Sequence, residues 1–142
     1  MAAIDFPLHP MVVHFPIALF ISALSLEVLS LISKKESLHQ TAKHLYVLAA
    51  IVTPFVVRTG FMEADELHLH HPVLEWHENF ALLTMWTSLL SLPILWLFKK
   101  KIPRHFRLVF LVFLVLIVSS VSLAAYNGGR LVYEYGVGVE QE

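Results

Sequence analysis

The sequence predicts an all-α integral membrane protein: a bundle of four transmembrane helices running up-down-up-down, with both termini on the outer side. Three observations carry that expectation. The chain is 57% hydrophobic and only 15% charged over 142 residues, with a mean hydropathy of +0.69, too apolar for a water-soluble domain of this size. Its apolar residues gather into four stretches. Its basic residues gather at two of the three connections between them.

The spans are expected at about 11–32, 43–61, 74–98 and 106–126, followed by an outer tail at 127–142, all in one domain. Roughly 20 residues at ~1.5 Å each cross a ~30 Å hydrocarbon layer. The second stretch is apolar only from Leu45 to Val57, and it reaches spanning length when Lys43 and Arg58 snorkel toward the interfaces. Helix is the expected form because backbone groups in lipid must be satisfied within the segment.

Lys34, Lys35 and Lys43 flank the first connection, and Lys99, Lys100, Lys101, Arg104 and Arg107 flank the third. That side is expected to be cytoplasmic. The opposite side carries Arg58 and Arg130 against Asp5, Glu63, Asp65, Glu66, Glu75, Glu134, Glu140 and Glu142. The first ten residues lack a basic n-region and an obvious small-residue cleavage site, so the first apolar stretch is expected to remain as a helix.

The absence of cysteine excludes disulfides, iron–sulfur clusters, thiolate ligands and covalent c-type haem attachment. Nine histidines remain as the strongest metal ligands. Two stretches align around them, LHPMVVHFPIAL at 8–19 and HHPVLEWHENFAL at 70–82. Each has His-Pro, a second histidine four or five residues after the proline, then Ala-Leu. In this register His14 matches His77, Ala18 matches Ala81 and His71 matches His9. Both stretches open an inward-running span, which suggests a two-span repeat about an axis along the membrane normal. The first and third helices of such a bundle are diagonal, so His14 and His77 are expected to face one another.

Two neutral imidazoles on diagonal helices suit the iron of a haem b, with Ala18 and Ala81 leaving room for the macrocycle and Phe15, Trp76 and Phe80 packing near it. Arg58 and Arg130 are candidates for its carboxylates, or ordinary snorkelling and salt-bridged residues. Met11, Met62 and Met85 are alternative axial ligands, better accounted for as apolar packing. His9 and His71 are candidates for a second site or for support of the ligands. His68, His70 and His71 with Glu66 or Glu75 have the chemistry for zinc or copper(II), in a loop with little to organise it. Histidines at a membrane interface also bond headgroups, water or helix-end carbonyls with no cofactor at all.

Glu27 is the one carboxylate inside the first span. It is expected either to relay protons or pair with Lys43 or His44, or to rest as a protonated or snorkelling acid bonded to Ser30 or a neighbouring helix. Nothing marks His39, His44 or His105 as ligands. Pro10 and Pro72 fit the first turns of helices, and Pro16 frees a carbonyl near Val12 and bends the chain there. Gly128 and Gly129 read as a helix stop, followed by a strip with strand-like alternation.

The strings HPMVVHFPIAL near the start and GGRLVYEYGVGV near the end, with a helix-opening histidine in the third span, resemble a bacterial membrane family known as domain of unknown function 2231. The resemblance covers essentially the whole chain. It implies a small four-helix inner-membrane protein, sometimes associated with redox domains, whose pattern falls here on His9, His14, Gly60, His77, Gly128, Gly129, Arg130, Gly136 and Gly138. Both termini would then be periplasmic or extracellular.

No catalytic nucleophile, phosphate loop or hydrolytic constellation is present. The expected function is that of a cytochrome b-like subunit passing electrons between the membrane quinol pool and an outward-facing redox partner, with lipid and a protein complex around it and no nucleic acid. Two alternatives stand beside it. One is a haem-free anchor or assembly subunit, the other a periplasm-facing metal-binding protein using His68, His70 and His71.

Overall fold

The computed structural model describes residues 8–97 and 103–139. Phe98 and Lys99 to Lys101 fall outside them, as do Asp5, Glu140 and Glu142 and the side chains of Arg104 and His105, and so do the expectations placed on them. The described chain is helical: α1 (Leu8–Val12), α2 (His14–Ser33), α3 (Glu36–Glu66), α4 (Pro72–Leu97) and α5 (Arg104–Tyr133).

Pro16 explains why the first span is broken into α1 and α2. It has no N–H for the carbonyl of Val12, and the helix interrupts at Val13. Together the two pieces form one apolar length, Leu8–Ser33, and α3, α4 and Phe106–Tyr133 within α5 are likewise long and apolar enough to cross a membrane.

Two boundaries differ from the sequence expectation. The second helix begins at Glu36, seven residues before Lys43, and runs on to Glu66. Its polar first turns are stabilised by burial of His39 and Ala42 against the bundle rather than by apolar composition. The fourth helix continues through Gly128 and Gly129 to Tyr133, where a strand-like strip was expected. Its stop is Gly136, whose φ of 67° lies in the left-handed region and whose N–H reaches back to the carbonyl of Val132 at 3.1 Å.

The helices form a ring. The first span packs on α3, α3 on α4, α4 on α5 and α5 back on α2, and the α2–α4 and α3–α5 backbones do not approach one another closely, so the first and third spans are diagonal, although long side chains such as Tyr46 and Phe110 meet across the centre. Early residues of one helix meet late residues of the next: His9 meets Val56, and His77 meets Ala124. The core between them is an apolar layer of Phe20, Ala23, Tyr46, Ala49, Phe110, Leu114 and Ile117. The Tyr46 hydroxyl escapes burial without a partner by bonding Ser91 Oγ at 2.6 Å and the Ser88 carbonyl at 3.3 Å. α4 buries the least, 11% of its apolar window against 28–33% for the other spans. Most of its surface is therefore available to lipid tails, and Trp76, Trp86 and Trp96 lie exposed along it.

Candidate functional site

At one end of the bundle α1 and α4 bring two imidazoles together. The rings of His9 and His77 lie 6.0 Å apart between centroids, with their planes at 85°. His9 Nδ1 is 3.0 Å from the Val56 carbonyl and 3.2 Å from Thr59 Oγ1, and Thr59 itself donates to that carbonyl at 2.7 Å. His77 Nδ1 is 2.7 Å from the Ala124 carbonyl. A carbonyl only accepts, so each ring carries its proton on Nδ1 and turns the lone pair of Nε2 elsewhere. That is the tautomer of an imidazole prepared to bind a metal through Nε2.

Glycine makes both placements possible. A Cβ on Gly60 would stand 2.9 Å from Cε1 of His9, and one on Gly128 would stand 3.1 Å from Cε1 and Nδ1 of His77. Each ring therefore lies against a stretch of bare helix backbone, in α3 for His9 and in α5 for His77. No Cβ would meet anything within 4 Å at Gly129. Of the two adjacent glycines, Gly128 is the one in contact.

The partner of His77 is thus His9, where the sequence register pointed to His14. His14 is exposed on the bundle surface, as the first residue after the break at Val13. Ala18 is exposed as well and lines no interior space, while Ala81 is half-buried. Trp76 is exposed and stacks on Phe80 with centroids 6.0 Å apart, and Phe15 is exposed too. Met85 is buried, Met62 is exposed, and Met11 is exposed on α1.

Arg58 is exposed and lines a groove of about 410 Å³ between α3 and α4, shared with Pro54, Phe61, Asp65, Leu82 and Met85. Met85 lies about two turns further along α4 than His77, on the same stripe. Arg130 is already engaged. Its Nε donates to Glu134 at 2.9 Å and one terminal nitrogen to the Tyr135 hydroxyl at 3.2 Å, and its guanidinium lies 5.9 Å from the ring centres of Tyr126 and Tyr135.

The histidine-rich loop is organised differently from a metal centre. His71 accepts the N–H of Val73 at 3.1 Å through Nδ1, capping the start of α4, and its ring lies 4.2 Å from that of Tyr135. His68 stands at a φ of 49° with Nδ1 3.2 Å from the Glu66 carbonyl, and His70 is exposed. The three line a hollow of about 640 Å³ with Asp65, Glu75 and Glu78. Among the described residues no group of three or more His, Asp or Glu side chains is arranged to hold a metal ion.

A second polar centre lies at the opposite end, where the sequence marked only Glu27. Glu27 and His39 are both fully buried, with His39 Nδ1 2.6 Å from Glu27 Oε2. Arg107 brings Nε to 3.5 Å from Glu27 Oε1, and it donates to Ser30 Oγ at 2.6 Å. A terminal nitrogen of Arg107 also reaches Glu36 at 3.5 Å. The carboxylate is therefore partnered by His39 and Arg107, both on neighbouring helices, neither of which stands out in the sequence as its partner. The overlooked signal is that His39 begins an amphipathic stretch, with Ala42, Tyr46, Ala49 and Ala50 following it on one buried face.

No curated protein and no solved structure matches this chain. A family described as "Predicted membrane protein (DUF2231)" matches residues 5–141. With four apolar spans and a match over nearly its whole length, the chain belongs to this family of membrane proteins.

Proposed function

We propose that the chain is a haem b-binding electron-transfer subunit of a bacterial inner membrane, in which His9 and His77 would hold the haem iron. The observation that carries this reading is the matched pair of Nδ1 bonds, which leaves two Nε2 lone pairs free at a ring separation of 6.0 Å. A separation of this size is one at which both rings could hold a single metal ion, given metal–nitrogen bonds of about 2 Å. Two donors without a third carboxylate or histidine are enough for a porphyrin iron, which supplies its other four ligands, and too few for zinc or copper. Haem would supply a one-electron carrier.

The chain's own residues orient and tune it. The Val56 and Ala124 carbonyls fix both rings and raise their basicity as ligands. Gly60 and Gly128 keep neighbouring side chains off the rings. Arg58, exposed beside the groove and not ion-paired among the described residues, is suited to a propionate, whereas Arg130 is occupied by Glu134. The lysine-bearing end is taken as cytoplasmic, so the histidine pair lies near the outer surface, both termini are outside, and electrons pass between the quinol pool and an outward-facing partner.

A second reading has its own observation. The two imidazole–carbonyl bonds also tie α1 to α3 and α4 to α5, as they would in a haem-free anchor of a larger complex. A reduced-minus-oxidised visible spectrum of the detergent-solubilised protein, expressed with ample haem supply, separates the two. A b-type signal lost in His9→Ala and His77→Ala but kept in His14→Ala is the expected result. Folded wild-type protein without haem overturns the cytochrome reading and leaves the anchor.

A further inference from the structure

Glu27 and His39 occupy the most costly position a charged group can take in such a chain, within the apolar spans and fully buried, with Arg107 half-buried beside them. Three of their polar atoms have no hydrogen-bond partner: Glu27 Oε1, His39 Nε2 and Arg107 Nε. Burial of this kind does little for stability, because apolar residues of equal volume serve as well.

The internal repeat sharpens the point. His9 to His77 and Val56 to Ala124 are both steps of 68 residues, and the same step takes His39 to Arg107. The two halves therefore each bring one nitrogen base to the same place. Glu27 corresponds to Leu95, which packs against the apolar core. The fold accepts leucine at this position in one half and holds a carboxylate in the other.

We propose that Glu27 and His39 form a proton-exchange site, open toward the lysine-bearing end of the bundle and closed toward the end that holds His9 and His77. The opening is marked by Arg107 and Glu36, whose side chains are 14% and 52% exposed. The closure is the layer of Phe110, Tyr46, Phe20 and Leu114, with His39 set edge-on to Phe110 at 6.0 Å. With His39 neutral and its Nδ1 proton donated to the Glu27 carboxylate, the lone pair of Nε2 is free. A proton from the aqueous phase binds Nε2 while the Nδ1 proton passes to Glu27 Oε2. His39 is neutral again, Glu27 is a neutral acid, and the pair has gained one proton and one positive charge. Release reverses both transfers. Arg107 keeps its charge throughout. The other charged groups within range are Glu36 and Lys43 on α3.

The test uses the full chain in lipid nanodiscs with ¹⁵N-labelled histidine and needs no cofactor. His39 is assigned by its loss in His39→Gln or, where that variant does not fold, by its displacement in Glu27→Asp. We expect the proton of His39 to move from Nδ1 to Nε2 as the pH is lowered, with the ring neutral at both ends, and this exchange of tautomers to be lost in Glu27→Gln. One tautomer at every pH in the wild type, or the same exchange in Glu27→Gln, overturns the proposal.

Discussion

His9 and His77 are each hydrogen-bonded to the carbonyl of a residue 47 positions further along the chain. Each ring also lies against a glycine four residues beyond that carbonyl, Gly60 for His9 and Gly128 for His77. Both spacings recur after a step of 68 residues, as they would if the bundle were two copies of one helical hairpin related by an axis along the membrane normal. Equivalent residues near such an axis would meet, as these histidines do.

Close ring-to-backbone contact predicts a ranked effect of adding one methyl group. Gly60→Ala puts a Cβ 2.9 Å from a ring pinned by Val56 and Thr59, so displacement breaks those bonds, and a loss of about 1–3 kcal/mol follows. Gly128→Ala, at 3.1 Å, costs less. Gly129→Ala meets nothing and stabilises by up to about 1 kcal/mol through helix propensity. Thermal unfolding of the three variants in one detergent checks the order, and a Gly129→Ala cost equal to that of Gly60→Ala refutes it.

The four helices were legible because span length and hydropathy are direct consequences of lipid as solvent. The histidine pairing was misread by five residues. Alignment on the second histidine and the Ala-Leu following it set His14 beside His77, and those features share only a position near a helix start. The contact itself is encoded by Gly60 and Gly128, each 51 residues after its histidine, a signal that lies on the partner helix and becomes visible only when α3 and α5 are in place. Gly128 was read as a stop because glycine ends helices in water, whereas in membranes it also marks where something packs closely. His39 stayed hidden because its partner Glu27 is in another helix and the polar residues around it look like a loop.

Removal of Arg107 alone leaves the Glu27 carboxylate buried with one partner fewer. Arg107→Met is therefore expected to destabilise the bundle by about 3 kcal/mol. The combined replacement Glu27→Leu, His39→Phe and Arg107→Met removes the three partners together and should recover most of that loss. Denaturation in mixed micelles measures both. Failure of the triple variant to exceed Arg107→Met would show that the cluster holds the fold together, contrary to the leucine that the fold accepts at the equivalent position 95.

Tyr46 ties α3 to α4 across the apolar layer through Ser91. Hydrogen bonds between membrane helices are worth about 0.6 kcal/mol on average. A double-mutant cycle of Tyr46→Phe and Ser91→Ala should return a coupling near that value. A coupling indistinguishable from zero would mean that the 2.6 Å contact contributes only packing.

Orientation decides which aqueous phase each polar centre meets, and the lack of native cysteine makes it directly measurable. Lys35 lies exposed at the turn between α2 and α3, and His70 lies exposed between α3 and α4. The excess of lysine at the first of these ends predicts that a membrane-impermeant thiol reagent applied to intact cells stripped of outer barriers labels His70→Cys and spares Lys35→Cys. In inverted vesicles the pattern should exchange. The opposite result would put His9 and His77 on the cytoplasmic side, so that the redox partner would have to be sought there, and it would expose the Glu27–His39 pair to the outer phase instead of the inner one.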